Sequence, residues 1–568
     1  MFLQDYLLLI TVIAAVLLLV KPLGSYIYKV LDPKAVTFLD PVLKPIEECI
    51  YWSCRCDKKE QRWTQYLFSL FCFSLISLVF FSVILAFQYY LPFNPQKLSS
   101  PSWDLIFNTA VSFMTNTNWQ NYAGEVTLSY FSQMAALTVQ NFASPAVGLA
   151  AAAVLVRGLA RKSQETVGNF WVDLVRIILY LLLPLSIIMA TVFLSCGVPQ
   201  NFRKYVEAKT LEGNTQLIAQ GPIASQEAIK IIGSNGGGFT NTNSAHPYEN
   251  PTPFSNFLQV ILILLIPTAQ IYYFGKEIGD TAHAFCIIAA LMFLYVIGVF
   301  GCSFCEYKGN PEWQNLGISP SNWVGKEERF GIFSSALYAC TTTVVSCGAV
   351  NCSHDSLTPI GGMIPMLNIQ LSEVIFGGVG AGLFSVLLYI LLAIFISGLI
   401  VGRTPEYLGN KIEGYEVKMI VFGLLSYILL VHLFTSWSCS STWGKEQLGN
   451  AGPHGFSEIL YAYSSCSANN GSAFAGLNGN TVWYNLTLGL AMLFGRFFIL
   501  LPVLALGGSF VQKKLHPTTA GSFPVSSFVF IALLVGVILL VGALTFLPAL
   551  TIGPILEEFY LQKKVLFP

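Results

Sequence analysis

Ten long apolar runs divide the sequence, beginning near Tyr6, Tyr66, Leu128, Phe170, Phe257, Ala282, Val374, Met419, Leu486 and Val525. Each is long enough to cross a hydrocarbon core of roughly 30 Å as an α-helix. Shorter stretches of a different kind lie between runs two and three, four and five, six and seven, and eight and nine. Each combines a short apolar, helix-length run with a tail of Gly, Ser, Thr and Asn. The pattern predicts an all-α polytopic membrane protein of about ten transmembrane helices. Four helix–pore-loop–helix units are expected, with one extra helix at each end. The expected segments are a first helix and loop (1–63), pore repeats at 64–156, 157–274 and 275–401, a loop with the fourth repeat (402–510), and a last helix with the C-terminus (511–568).

Two of the tails share a signature. Leu337-Tyr338-Ala339 leads to Ser346-Cys347-Gly348-Ala349, and Leu460-Tyr461-Ala462 leads to Asn469-Asn470-Gly471-Ser472. The other two are WDLIFNTAVSFMTNTNWQNYAGE (103–125) and GPIASQEAIKIIGSNGGGFTNTNSAHPYENP (221–251). Tyr122-Ala123-Gly124 is echoed by Phe474-Ala475-Gly476 after the fourth loop. Gly accepts positive φ and lets carbonyls converge on an axis. Thr, Ser and Asn add side-chain oxygens or fix the loop backbone by local hydrogen bonds. In a membrane, such a tail lets backbone carbonyls replace an ion's hydration shell. No carboxylate lies within TNTN, SNGGG, SCGA or NNGS, which suits a monovalent cation better than calcium or magnesium. Ordinary outer turns use Gly and Asn too. Four such tails at matching places favour the ion pathway.

Of the 568 residues, 54% are hydrophobic and 11% charged, against about 25% charged in a soluble domain. The formal net charge of zero argues against a nucleic-acid partner. The first run lacks a basic start and a clean small-residue cleavage site, so it reads as a retained helix. Basic residues cluster at Lys21 to Arg62, at Arg157, Arg161 and Lys162, at Arg403, Lys411 and Lys418, and at Lys513 and Lys514. The positive-inside bias puts these in the cytoplasm and sends both termini and all four loops outward. The chain has 13 Cys, with Cys302 and Cys305 as one CxxC and no second pair; small hydrophobic fillers fit better than zinc. The His residues lack the spacing of a metal site.

TNTNWQ (115–120), SNGGGFTNTNSAHPYENPTPFSN (234–256), SCGAVN (346–351), HDSLTPIGG (354–362), GRTPEYLGNKIE (402–413) and SANNGSAFAGL (467–477) occur in this order. On these residues the chain resembles the potassium-translocating A subunits (KdpA) of the bacterial Kdp potassium-pumping complex, over essentially its whole length. The resemblance implies the fold of the superfamily of potassium transporters. It implies potassium as the ion bound, with a filter built from Thr115, Asn116, Thr117 and Asn118, from Asn235, Gly236, Gly237 and Gly238, from Ser346, Cys347 and Gly348, and from Asn469, Asn470 and Gly471. The partners it implies are a P-type ATPase catalytic subunit (KdpB), KdpC and the small KdpF, in the lipid of the bacterial inner membrane. The ion would pass sideways through a tunnel toward the ATPase. Only the second strand is Gly-rich, so fourfold symmetry is expected to be approximate. Thr240 and Thr242 stand where the family's second loop is expected to carry other small or aromatic residues.

Arg496 interrupts the ninth apolar run. An intramembrane Arg is costly unless it meets a partner or water. It is either a structural tie to carbonyls or a carboxylate or, as the resemblance implies, an electrostatic barrier below the filter. Glu373, opening the seventh run, attracts the cation or pairs with a basic residue. Gln120 is expected to orient the first loop. Arg403 heads GRTPEYLGNKIEGYEVK, whose Gly and Pro residues predict an ordered turn; in the family this region lies near the partner and gating elements, while a plain connector is the competing account. There is neither GxxxxGK[ST] nor DKTG, so the chain is expected to be non-catalytic and to draw its energy from a partner. A free-standing channel or symporter of the same superfamily is the alternative, disfavoured by the two extra helices and GRTPEYLG. A haem oxidoreductase would need paired His on facing helices, and that pattern is missing.

Overall fold

The computed structural model describes residues 2–310, 313, 317–372, 374–514 and 523–564. In chain order its helices are α1 (Leu3–Leu31), α2 (Asp40–Ser53), α3 (Trp63–Ala86), α4 (Trp103–Met114), α5 (Ser132–Ala160), α6 (Phe170–Ser195), α7 (Ile223–Ile232) and α8 (Pro253–Glu277). There follow α9 (Thr281–Lys308), α10 (Gly331–Val344), α11 (Pro359–Gln370), α12 (Gly382–Ile400), α13 (Gly414–Ser440), α14 (Gly452–Ala468), α15 (Val482–Gln512) and α16 (Phe528–Gln562). Among the described residues, ten helices are long and apolar enough to span a bilayer: α1, α3, α5, α6, α8, α9, α12, α13, α15 and α16. The short helices α4, α7, α10 and α14 stand in the four gaps where polar tails were read.

Burial sorts the helices into shells. In the most apolar window of each, 94% of α5 and 83% of α8 is buried, against 28% of α1, 22% of α3 and 28% of α16. The outer helices turn large apolar side chains outward, as lipid requires. The inner ones use small residues to bring backbones together. Ala150 to Ala153 are buried on α5, and a Cβ on Gly148 would sit 1.9 Å from the Gly380 carbonyl oxygen.

The seventh apolar run departs from its reading as one helix starting near Val374. The structure places α11 first, then a passage whose described residues, 371–372 and 374–381, are non-helical, and begins α12 only at Gly382. Gly377, Gly378 and Gly380 weaken the helix here, and Ser372 and Phe376 take positive φ of 56° and 66°. Irregular backbone at membrane depth survives only inside protein or beside a water-filled cavity. Val374, Ile375, Phe376 and Val379 are buried accordingly. Gly377 N–H donates to the Val344 carbonyl at 2.9 Å, and Val379 N–H to Ser234 Oγ at 2.7 Å. The passage is thereby tied to the ends of α10 and α7.

The face opposite the four loops is tied by polar contacts. Arg157 makes a two-pronged ion pair with Asp173 at 2.6 and 2.7 Å and also holds the Leu31 carbonyl at 2.8 Å. A hairpin of β1 (Val206–Lys209) and β2 (Thr215–Ile218) belongs to the loop after α6, and a second, of β3 (Glu406–Tyr407) and β4 (Asn410–Lys411), follows α12. In the second hairpin Leu408 and Gly409 both have positive φ, the two-residue turn that suits the twist of paired strands. Tyr407 Oη lies 2.7 Å from His283 Nε2. The GRTPEYLG segment is therefore an ordered turn. On the loop side, His454 bridges Asp355 at 3.1 Å and Glu557 at 2.8 Å. Burial alone would lower the His454 pKa, but its hydrogen bonds to Asp355 and Glu557 and their charges carry it up to about 10.

Candidate functional site

The four short helices end in the same way although their sequences differ. Thr117 N–H donates to the Ser112 carbonyl at 3.0 Å, Asn235 to Lys230 at 2.9 Å, Cys347 to Thr342 at 3.1 Å and Asn470 to Ser465 at 2.9 Å. Each bond spans five residues and encloses one left-handed residue: Asn116 (φ 67°), Ser234 (47°), Ser346 (51°) or Asn469 (63°). These are Schellman turns, in which the chain reverses sharply after its last helical residue and satisfies the terminal carbonyls. Gly is the usual left-handed residue; here Asn and Ser serve, anchored by their side chains. Each helix thus passes into its strand through the same turn.

There the strands form a closed ring. A Cβ on Gly236 would lie 2.1 Å from the Gly348 nitrogen, and one on Gly348 3.0 Å from the Gly471 carbonyl carbon. A Cβ on Gly471 would lie 2.0 Å from the Thr117 oxygen, and one on Gly237 2.9 Å from Asn118. Gly348 N–H donates to the Asn235 carbonyl at 3.2 Å, Ser346 Oγ to the Asn469 carbonyl at 3.0 Å, and Asn469 Nδ2 to Thr117 Oγ1 at 2.9 Å. The side-chain amides of Asn116 and Asn235 are 2.7 Å apart. The structure therefore brings together Thr115, Asn116, Thr117, Asn118, Asn235, Gly236, Gly237, Gly238, Ser346, Cys347, Gly348, Asn469, Asn470 and Gly471. All except Gly471 are buried.

The asparagines brace the ring from behind. Asn118 Nδ2 donates to Asn141 Oδ1 at 2.6 Å, and Asn116 Oδ1 accepts from Ser144 Oγ at 2.8 Å, both partners lying on α5. Asn469 Nδ2 also reaches the Met492 carbonyl at 3.0 Å, and Asn470 Nδ2 the Thr342 carbonyl at 3.2 Å. Gln120 was expected to orient the first loop. Its Nε2 reaches Tyr122 Oη in its own loop at 3.2 Å, and it also clamps the second strand, donating to the Gly238 carbonyl at 3.0 Å and accepting from Gly238 N–H at 2.9 Å.

Below the ring lies the non-helical passage that carries Gly377 to Gly380. Arg496, 2% exposed, donates to the Gly380 carbonyl at 2.8 Å and to the Ser144 carbonyl at 3.2 Å. Among the described residues no carboxylate forms an ion pair with it. A cavity of about 30 Å³ opens beside it, lined by Ser372, Ser385, Tyr427, Ser467, Asn469 and Arg496 among others. Such a volume holds one or two water-sized occupants. Its lateral wall includes α13, whose other face exposes Phe422, Leu425 and Leu429. Arg403 is not part of this assembly: it is exposed at the end of α12, its N–H bonded to the Gly398 carbonyl at 2.9 Å. Glu373 lies outside the described residues.

Sequence reasoning missed Ser234, Asn141, Ser144 and the Gly377 to Gly380 backbone. The available signal was polar Asn141 and Ser144 inside the otherwise apolar third run, and three glycines at the head of the seventh.

The profile of the family described as Potassium-transporting ATPase A subunit matches residues 10–559. The chain is 50% identical over 553 residues to the potassium-transporting ATPase potassium-binding subunit of Brucella anthropi, covering 97% of each. It is 52% identical over 545 residues to the subunit of the same name from Methylobacterium nodulans, covering 96% of this chain and 95% of the relative. Among solved structures, the potassium transporter TrkH from Vibrio parahaemolyticus superposes with a TM-score of 0.50 at 13% identity, covering 85% of this chain and 96% of that one. At that identity the likeness concerns the fold.

Proposed function

We propose, from the premise that this chain belongs to the potassium-transporting ATPase A subunit family, that its central ring is the filter at which potassium exchanges water for protein oxygen. The chain is the potassium-binding, non-catalytic subunit of a potassium-transporting ATPase and a multi-pass membrane protein. The observation that carries the filter reading is the fourfold recurrence of one Schellman turn around one axis, with side chains engaged behind the strands. Carbonyls held this rigidly discriminate between cations of equal charge by the cage they offer. The ligands would come from Thr115 to Asn118, Asn235 to Gly238, Ser346 to Gly348 and Asn469 to Gly471, one set from each of the four pore repeats.

Below the filter, Arg496 and the passage that carries Gly377 to Gly380 oppose a straight descent. The cavity beside Asn469 and Tyr427 offers a sideways step toward α13. In this reading the ion leaves laterally for a P-type ATPase catalytic subunit (KdpB), in a complex completed by KdpC and KdpF. The assembly sits in the bacterial inner membrane with both termini outside, and the β3–β4 hairpin with Arg403 lies on the cytoplasmic side near the partner.

Purified alone, the chain is expected to bind potassium and to hydrolyse no ATP. Potassium-dependent hydrolysis is expected only after reconstitution with the ATPase subunit. Isothermal titration with potassium and a phosphate-release assay check the two halves. Hydrolysis by the contaminant-free chain, or no potassium binding by a folded one, would sink this reading.

A further inference from the structure

In three of the four units the residue accepting the Schellman bond carries a hydroxyl that also holds the strand beyond. Ser112 Oγ donates to the Trp119 carbonyl at 2.9 Å, Thr342 Oγ1 donates to the Cys347 carbonyl, and Ser465 Oγ accepts from Gly471 N–H at 3.0 Å. The second unit has Lys230 in this place. Its ammonium is fully buried and engaged elsewhere, donating to Glu227 at 2.7 Å, Glu249 at 2.6 Å and Ser244 Oγ at 3.0 Å.

The second strand takes its support from the turn that this cluster anchors. Asn243 Nδ2 donates to the Gly236 carbonyl at 2.5 Å. The other oxygen of Glu249 accepts from Thr240 N–H at 2.6 Å and from Thr240 Oγ1 at 2.7 Å, closing the turn that carries Asn243. Gln259 Nε2 binds Glu227 at 2.9 Å and the Glu249 carbonyl at 3.1 Å, fixing the cluster to α8. There is no slack: a Cβ on Gly238 would lie 2.8 Å from Glu249. Desolvating two carboxylates and an ammonium is costly even when they are paired. A single serine or threonine hydroxyl performs the local bracing in the sister units. The extra charges therefore point to a task specific to this strand.

Resting on the reading that the ring binds potassium, we propose that Lys230 and Glu249, acting through Asn243, set the position of the Gly236 carbonyl and thereby the ion preference of the second strand. They are positioning residues. They hold the 240–249 turn, and the turn holds the carbonyl. A carbonyl restrained by an amide donor cannot close on a smaller ion or open for a larger one, so potassium gains over both sodium and rubidium.

The test uses the complete complex with its ATPase partner, carrying Asn243→Leu (similar volume, no donor) or Glu249→Gln (same shape, no charge). Half-saturation and maximal ATPase rate are measured in potassium and in rubidium. Each variant is expected to raise the potassium half-saturation by about tenfold or more, equivalent to about 1.4 kcal/mol of binding, and to narrow the potassium-to-rubidium ratio. The maximal rate is expected to stay close to wild type. If Glu249→Gln fails to assemble, Asn243→Leu decides. Unchanged half-saturation and ratio, or a lost maximal rate at unchanged half-saturation, would overturn the brace while leaving the filter reading intact. A wild-type complex without potassium stimulation would instead contradict the filter reading itself.

Discussion

Gly236→Ala and Gly471→Ala are expected to lose high-affinity potassium activation while the protein still inserts and assembles. The added methyl would sit 2.1 Å from the Gly348 nitrogen in the first case and 2.0 Å from the Thr117 oxygen in the second. Both distances are far inside van der Waals contact, and both obstacles are backbone atoms of the neighbouring strand. The φ angles of 91° and 100° add a penalty of their own for any residue with a Cβ. The ring must open to admit the methyl, and the cage changes size. A displacement costing about 3 kcal/mol at the bound ion corresponds to more than a hundredfold in half-saturation. Gly213→Ala is the control: its φ is 83°, with no atom within 4 Å of the added Cβ. That variant is expected to transport like wild type. Potassium titration of ATPase activity in the three assembled variants checks this, and equal half-saturation in all three would contradict the assignment.

Arg496→Ala is expected to open a leak. The guanidinium is buried beside the cavity below the ring, bonded to the Gly380 and Ser144 carbonyls and facing no carboxylate among the described residues. Its positive charge is therefore left standing next to the route proposed for the ion. At an effective dielectric near 20, a like charge roughly 8 Å away costs a cation about 2 kcal/mol. Removing it is expected to raise ATP-independent potassium flux into proteoliposomes by at least about tenfold, since 1.4 kcal/mol is a factor of ten. Arg496→Lys keeps the charge and is expected to stay tight. A purely structural arginine predicts the opposite: fewer assembled complexes and no leak in those that form. An assembled, fully coupled and tight Arg496→Ala complex would remove the barrier from the account.

The ten spans were legible because each is a long apolar run, and the four loops because Gly, Asn and Ser interrupt such runs at matching places. The seventh helix was misplaced for a local reason. Val374, Ile375, Phe376 and Val379 read as membrane helix by hydropathy, yet the glycines among them let the backbone leave the helix where packed protein, not lipid, surrounds it. The tails proposed to form the filter stand out by composition, but composition could not tell an oxygen placed to face an ion from one that props a strand. Asn116, Asn118, Asn469 and Asn470 prove to be bonded to α5, α10, α15 and their own loops. Gln120 is separated in sequence from the strand it clamps by an entire repeat, so no local pattern announced the pair. Lys230 carries no signal of its own in the sequence, being one charge within a short helix. Its significance depends on aligning it with Ser112, Thr342 and Ser465, and the low identity between units hid that alignment until the four turns were compared in space.

Crystals of the assembled complex grown with thallium(I), a potassium-sized monovalent cation with strong anomalous scattering, test the central claim most directly. The account predicts anomalous peaks on the axis enclosed by Thr117, Gly236, Gly348 and Gly471, reduced by competing potassium. Thallium bound elsewhere in a complex that remains potassium-stimulated, with the axis empty, would contradict it.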